Sequence, residues 1–153
     1  MDLVLWRHAE ALDAMDEQED MSRALTGRGE KQAARIAHWL DRRLPEGTRV
    51  LVSPALRCAQ TAKALGRKFK TWPELATGGT VEQLLEAAQW PQGKATVLIV
   101  GHQPVLGQAI ARLLDLRASE CVVKRGAVWW LRNRGRRAMF QTVVVAVHSP
   151  EMH

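Results

Sequence analysis

Two hydrophobic patterns alternate along the chain. Short continuous apolar runs predict buried strands, and stretches with an apolar residue at every third or fourth position predict helices with one face covered. Leu3-Val4-Leu5-Trp6 is the first run, ending at Arg7-His8, and a polar loop follows from Asp13 to Asp20. Ala33, Ile36, Ala37, Leu40 and Leu44 predict a helix over about Gly29 to Leu44, stopped by Pro45 and Gly47. Val50-Leu51-Val52 is a second strand. Ser53-Pro54 then supplies an expected N-cap, with proline at the first helical position, for a helix whose Leu56, Ala59, Ala62 and Leu65 share a face. Thr80 is the expected cap of a third helix carrying Val81, Leu84, Leu85 and Ala88, which Pro91 and Gly93 end. Val97-Leu98-Ile99-Val100 suits a strand covered on both faces, with Gly101-His102 directly after it. Pro104 opens a helix carrying Val105, Ala109, Ile110, Leu113 and Leu116. Ala127 to Leu131 and Met139 to Val147, on either side of an arginine-rich turn, predict an antiparallel hairpin.

Strands alternating with helices imply βαβ units. The expected fold is α/β, a three-layer α/β/α sandwich whose mainly parallel central sheet is completed by the antiparallel C-terminal hairpin. In such sheets ligands bind beyond the carboxyl ends of the strands. Three polar clusters stand there: Arg7-His8-Ala9-Glu10, Ser53-Pro54 leading to Arg57, and Gly101-His102.

The length of 153 residues suits a single domain over 1–153, and 46% hydrophobic with 25% charged residues excludes disorder, collagen and coiled coil. No apolar run approaches the roughly 18 residues of a membrane span, and Met1-Asp2 followed by a short apolar run and Arg7 is the wrong order for a signal peptide. A cytoplasmic monomer, with no membrane partner, is expected. Cys58 and Cys121 lack metal-ligand spacing and read as reduced core residues. Lysine and arginine number 22 against 16 acids, a net charge of +6 that favours anionic partners. The densest basic cluster, Arg132, Arg134, Arg136 and Arg137, has no interleaved aromatics, so it reads as a solvated hairpin tip and not as a nucleic-acid patch. Six tryptophans read as core and interface packing, with Trp129 and Trp130 on opposite faces of their strand.

Several phosphate-handling and hydrolytic signatures are absent: Gly-x4-Gly-Lys-Ser/Thr, a cysteine at thiolate-phosphatase spacing from an arginine, Gly-x-Ser-x-Gly and His-Glu-x-x-His. A pair of histidines and a pair of arginines remain at strand ends. Arginine presents a planar fork that holds phosphate oxygens at any pH, which suits Arg7 and Arg57. A neutral imidazole is a nucleophile for phosphorus when its other nitrogen is fixed by a hydrogen bond, and nearby arginines help to keep it neutral. A second imidazole, when protonated, donates to a non-bridging oxygen as charge accumulates. His38, His148 and His153 read as structural histidines.

Leu5-Trp6-Arg7-His8-Ala9-Glu10-Ala11 resembles the Arg-His-Gly signature of the histidine phosphatase superfamily, which includes the phosphoglycerate mutases. Leu25-Thr26-Gly27-Arg28-Gly29-Glu30-Lys31-Gln32-Ala33 resembles its Leu-Thr-x-x-Gly-x-x-Gln-Ala, and Val52-Ser53-Pro54-Ala55-Leu56-Arg57-Cys58-Ala59-Gln60-Thr61-Ala62 its Ser-x-x-x-Arg-x-x-x-Thr-Ala. Val100-Gly101-His102 resembles the second histidine motif. The resemblance implies that His8 is a transiently phosphorylated nucleophile, that Arg7, Arg57 and His102 complete a phosphate pocket, and that no metal or cofactor is required. The branch it resembles is the SixA-type phosphohistidine phosphatases. Only some thirty residues separate the second helix from the Val97 strand, too few for the helical cap insertion of the mutases. The implied partner is a histidine-phosphorylated, phosphorelay-type protein carrying a phosphotransfer domain, or a small phosphorylated substrate.

Glu74, in Trp72-Pro73-Glu74-Leu75, lies where the superfamily places its general acid, although imidazole leaving from phosphohistidine needs less help than an alkoxide. Glu10 and Arg23 are candidate substrate contacts. Glu10 reads equally as a structural hydrogen-bond partner or a solvent-facing acid, and Arg23 and Arg28 as a rim of the site or as solvated charges. Ala9 replaces the signature glycine, which would cost about 1 kcal/mol if that position required a positive φ. Three alternatives stand beside the phosphohistidine phosphatase: a general small-molecule phosphomonoesterase, a metal site of His8, Glu10 and His102, and a catalytically silent phosphate-binding module.

Overall fold

In the computed structural model, which describes residues 1–14, 17–135 and 141–152, the apolar runs become strands of one sheet. The strands are β1 (Asp2–Arg7), β2 (Arg49–Val52), β3 (Lys70–Thr71), β4 (Val97–Gly101), β5 (Val128–Arg134) and β6 (Gln141–His148), in spatial order β3-β2-β4-β1-β5-β6. β1 and β2 both run parallel to β4, and β3 runs parallel to β2. β5 is antiparallel to β1 and to β6, so the C-terminal hairpin extends the parallel core as the pattern predicts.

Strand side chains alternate between faces, and each face is covered by its own helices. Leu3, Leu5, Leu51, Val97 and Ile99 pack with Leu84 of α3 (Val81–Ala88) and with Leu106 and Ile110 of α4 (Val105–Leu113). Val4, Trp6, Val50, Val52, Leu98 and Val100 pack with Ile36 and Leu40 of α1 (Gly27–Asp41) and Ala62 of α2 (Leu56–Lys63). Three layers result. Trp129 joins the first cluster and Trp130 the second, placing the two rings on opposite faces.

Some boundaries differ from those the sequence predicts, each for a local reason. Thr26 caps α1 by accepting from the Gly29 N–H, so this helix starts at Gly27. α2 starts at Leu56 and not at Pro54, because the chain stays extended through Ala55 and the Ser53 hydroxyl is turned towards His102. Thr80 caps α3 in a full capping box with Gln83, as expected. β3 has two polar residues, too few to show a period. Arg132 is no solvated tip: it lies within β5 and pairs with Asp2 through Nε and Nη2, at 2.8 and 2.9 Å. Arg136, Arg137, Met139 and His153 lie outside the described residues. No helix among the described residues is long and apolar enough to cross a membrane.

Candidate active site

β1 delivers His8 to the edge of the core, and backbone bonds to both neighbouring strands' ends clamp it there. The His8 N–H donates to the Gly101 carbonyl at 3.1 Å, and its carbonyl accepts from the Gly126 N–H at 3.0 Å. Gly126 has a φ of +74°, a left-handed conformation suited to glycine. The His8 ring is 7% exposed, and its Nδ1 lies 2.8 Å from the Ala9 carbonyl oxygen. A carbonyl only accepts, so Nδ1 carries the proton and Nε2 presents a bare lone pair. Arg57 Nε donates to that lone pair at 3.4 Å. Burial, opposed by the Ala9 bond and reinforced by His102, Arg57 and Arg7, pushes the His8 pKa down to about 3. The imidazole is therefore neutral throughout the physiological range, the electronic state a nucleophile needs.

Arg57, on the first turn of α2 and 3% exposed, sits between the two histidines. Its outer edge is held by Asp20: Nη1 donates to the Asp20 carbonyl at 2.7 Å and Nη2 to Asp20 Oδ2 at 3.2 Å. Nη2 also lies 3.4 Å from His102 Nδ1. Asp20 further accepts from Arg23 Nη1 at 3.1 Å, and Arg23 Nε donates to the Leu12 carbonyl. Partial burial works to raise the Asp20 pKa, but the Arg23 hydrogen bond and the Arg57 charge outweigh it and hold the carboxyl below its usual range.

His102 follows β4 and is 2% exposed, its ring centroid 5.3 Å from that of His8. Its Nε2 lies 2.7 Å from Ser53 Oγ. Burial first, then Arg57, Arg7 and Arg23 against the opposing charge of Asp20, bring its pKa to about 4. Arg7 reaches across to the segment ahead of β5, donating from Nη1 to the Val123 carbonyl at 2.8 Å, while its Nε is buried without a partner among the described residues. Burial, with the charges of Arg125 and Arg57, lowers the Arg7 pKa.

The structure thus brings Arg7, His8, Arg57 and His102 together, with Arg23 beside them. Glu10 Oε1 accepts from the Thr26 hydroxyl at 3.0 Å, so the carboxylate has the hydrogen-bond partner that its structural reading calls for. Among the described residues no group of three or more His, Cys, Asp or Glu side chains has the placement to hold a metal ion, and the proposed trio of His8, Glu10 and His102 does not converge. Glu74 lines a different cavity, with Arg49, Trp72, Gln83 and Glu86. Arg28 is exposed. Ala9 is not among the positive-φ residues, so its methyl carries no backbone penalty.

Asp20, Val123 and Arg125 escape a search of strand ends, and Ser53, which such a search finds, reads there as a helix cap and not as a partner of His102. Val123 and Arg125 precede β5, whose antiparallel course puts its N-terminal end at the carboxyl end of β1. The helpful signal was the strand's direction. Asp20 lies in a short 3-10 turn, Glu17–Ser22, where nothing in the pattern marks it.

The remaining motif residues hold the loop after β1. The Ala9 N–H donates to Thr61 Oγ1, the Glu10 N–H to Gln32 Oε1 and the Leu25 N–H to Gln60 Oε1, at 3.1, 3.0 and 2.7 Å. Gly29 packs so closely that a Cβ there would collide with the Glu10 carbonyl.

Comparison with known proteins identifies the family. Residues 3–78 match the model of the histidine phosphatase superfamily, branch 1. The chain is 34% identical over 121 residues to the phosphohistidine phosphatase SixA of Escherichia coli strain K12, covering 74% of each chain. It is 29% identical over 132 residues to a SixA homolog of Haemophilus influenzae, covering 76% of this chain and 79% of that one. A solved protein histidine phosphatase SixA complexed with tungstate superposes with a TM-score of 0.80 at 28% identity, over 99% of both chains. A family-model match, a shared fold and a relative this similar lead to one conclusion: the chain is a phosphatase belonging to the histidine phosphatase superfamily, of the SixA type.

Proposed function

We propose that this phosphatase removes phosphate from phosphohistidine on a protein, through a phospho-His8 intermediate. The observation that carries the reading is the fixed His8 tautomer: Nδ1–H bound to the Ala9 carbonyl, Nε2 bare and facing Arg57 Nε at 3.4 Å. His8 Nε2 attacks phosphorus in line, and the bond from phosphorus to the substrate imidazole breaks as that imidazole takes up a proton. Water then attacks phosphorus, the bond to His8 breaks, orthophosphate departs, and Nε2 is bare again. Arg57, Arg7 and His102 hold the three non-bridging oxygens, with Arg23 at the rim; the unpartnered Arg7 Nε is a donor such an oxygen would satisfy. His8 is neutral without needing to lose a proton first, and imidazole is a leaving group readily protonated near neutral pH, so no dedicated carboxylic acid is required and Glu74 is given no role.

The similarity to a phosphohistidine phosphatase of Escherichia coli, and to a SixA that binds the oxyanion tungstate, supports this substrate class. Between α2 and β4 the described chain adds only β3, the Pro73–Leu75 turn and α3, consistent with a mouth open to a protein-borne phosphoryl group. In this reading residues 1–153 are one domain, acting as a cytoplasmic monomer on a phosphorelay-type protein. The test compares phosphate release from a histidine-phosphorylated phosphotransfer protein and from an aryl phosphate, both in excess chelator, with His8→Ala as control. The expected result is strong preference for the phosphoprotein, phospho-His8 trapped at alkaline pH in the wild-type chain, and no turnover by the variant. Preference for the aryl phosphate would make the chain a small-molecule phosphomonoesterase, and turnover by His8→Ala would end the mechanism.

A further inference from the structure

In the proposed function His102 donates to a phosphoryl oxygen, yet among the described residues the group hydrogen-bonded to its Nδ1 is Arg57 Nη2, which offers only protons. In the empty pocket Nδ1 is therefore an acceptor, and the ring proton sits on Nε2, donating to Ser53 Oγ at 2.7 Å. Ser53 is 1% exposed and Cys58 0%, so this bond is shielded from bulk solvent. The serine oxygen accepts a second hydrogen bond from the Ala55 N–H at 3.2 Å, which fills its lone pairs and turns its own O–H elsewhere. Cys58 supplies the partner: its sulfur hydrogen-bonds Ser53 and lies 3.5 Å from His102 Nε2. Burial, against that bond and the Arg57 charge, pushes the thiol up to about 12, so it stays a neutral partner.

We propose that Ser53 is a positioning residue for His102: by accepting from Nε2–H it reserves Nδ1 for the proton that phosphoryl binding brings to the ring. The inference rests on the phosphate pocket proposed above. When a phosphoryl group enters, Arg57 Nη2 turns to its oxygens and Nδ1 faces an acceptor in place of a donor. A proton taken from solvent then makes the imidazolium, with Nδ1–H on the phosphoryl oxygen and Nε2–H still on Ser53. The charged groups around His102 are Arg57, Arg7, Arg23 and Asp20, with neutral His8 and Cys58 beside it. Three cations oppose that extra proton and one anion favours it, so the dianionic ligand tips the balance. Serine here acts as a neutral counterpart of the carboxylate that orients a catalytic histidine elsewhere.

Nitrogen-15 NMR of the histidine rings, with tungstate as probe, tests this directly on the wild-type chain. The expected spectrum has only Nε2 of His102 protonated in the free protein and both ring nitrogens protonated at tungstate saturation. Ser53→Ala should lower kcat by roughly 10–100-fold with KM changed less than about twofold, the cost of losing an orienting partner, and Ser53→Thr should recover part of the loss. A free protein with Nδ1–H, a saturated complex in which Nδ1 stays bare, or Ser53→Ala turning over like wild type would overturn the role of Ser53. Tungstate that perturbs neither His8 nor His102 would overturn the pocket assignment itself.

Discussion

Lowering the pH from 7 to 5 should cost this protein about 4 kcal/mol of stability, and two residues account for it. His8 and His102 are 7% and 2% exposed and are held neutral, with pKa values of about 3 and about 4 against 6.5 for a free histidine. Below pH 6.5 the unfolded chain takes a proton at each imidazole and the folded chain does not, so unfolding gains. Stability is complete above that value and falls with pH until the folded pKa values are reached. Each histidine contributes about 1.4 kcal/mol per pH unit within the window, or about 2 kcal/mol between pH 7 and 5. Against a typical total of about 5–15 kcal/mol, that loss is large. The lowered carboxyls of Asp2 and Asp20 also lose stability as the pH falls, but only from their ordinary value near 3.8 downwards, below the interval from pH 7 to 5. Urea unfolding at pH 7 and pH 5 measures the difference, with His8→Asn and His102→Asn each expected to remove about half of it and the double variant nearly all. A wild-type loss below about 1 kcal/mol, or single variants that keep the whole loss, would refute the account.

Arg57→Lys should reduce kcat by roughly a hundredfold or more, because a point charge cannot meet His8, His102 and Asp20 at once as the planar fork does; steady-state kinetics check it. Asp20→Ala frees the outer edge of Arg57 and should lower kcat/KM by on the order of tenfold or more, with Asp20→Asn losing less. Gln32→Met removes the acceptor of the Glu10 N–H, so the Ala9–Glu10 peptide that fixes His8 loosens; kcat should fall by roughly tenfold and the His8 ring should show mixed tautomers by NMR. Gly29→Ala drives a methyl into the Glu10 carbonyl and should destabilise the fold by about 1–3 kcal/mol in urea.

The sheet was legible because its strands are buried on both faces: Leu3 to Trp6 and Val97 to Val100 show no polar residue to break the run. Where those runs stop, Arg7, His8 and His102 stand out against them, and the motif around Arg57 supplied the fourth group. The rest was hidden by geometry. The rule that ligands sit beyond carboxyl ends covers parallel strands only, so Val123 and Arg125, ahead of antiparallel β5, fell outside it. Ser53 followed by Pro54 has the composition of a helix start, but its hydroxyl oxygen is shared between the Ala55 N–H at 3.2 Å and a buried imidazole 2.7 Å away, and the helix begins only at Leu56. Glu10 had three readings because sequence does not reveal that Thr26 returns beside it, 16 residues on.

Why the other motif residues exist follows from the same hydrogen-bond accounting. On leaving β1 the chain quits the sheet ladder while still inside the protein, Ala9 being fully buried, and its N–H groups need new acceptors. Thr61 and Gln32 supply them from α2 and α1, and Gln60 does the same for Leu25, so the loop is tied to two helices through side-chain oxygens. One of these ties reaches the chemistry. The Ala9 carbonyl that receives His8 Nδ1–H and the Glu10 N–H that donates to Gln32 belong to a single peptide plane, so fixing one end aims the other. Gln32, a helix residue 24 positions from His8 in sequence, thereby holds the tautomer on which a bare Nε2 depends. The motif glycine, Gly29, lets α1 approach closely enough for that reach, and Ala9 is tolerated because its backbone stays outside the left-handed region.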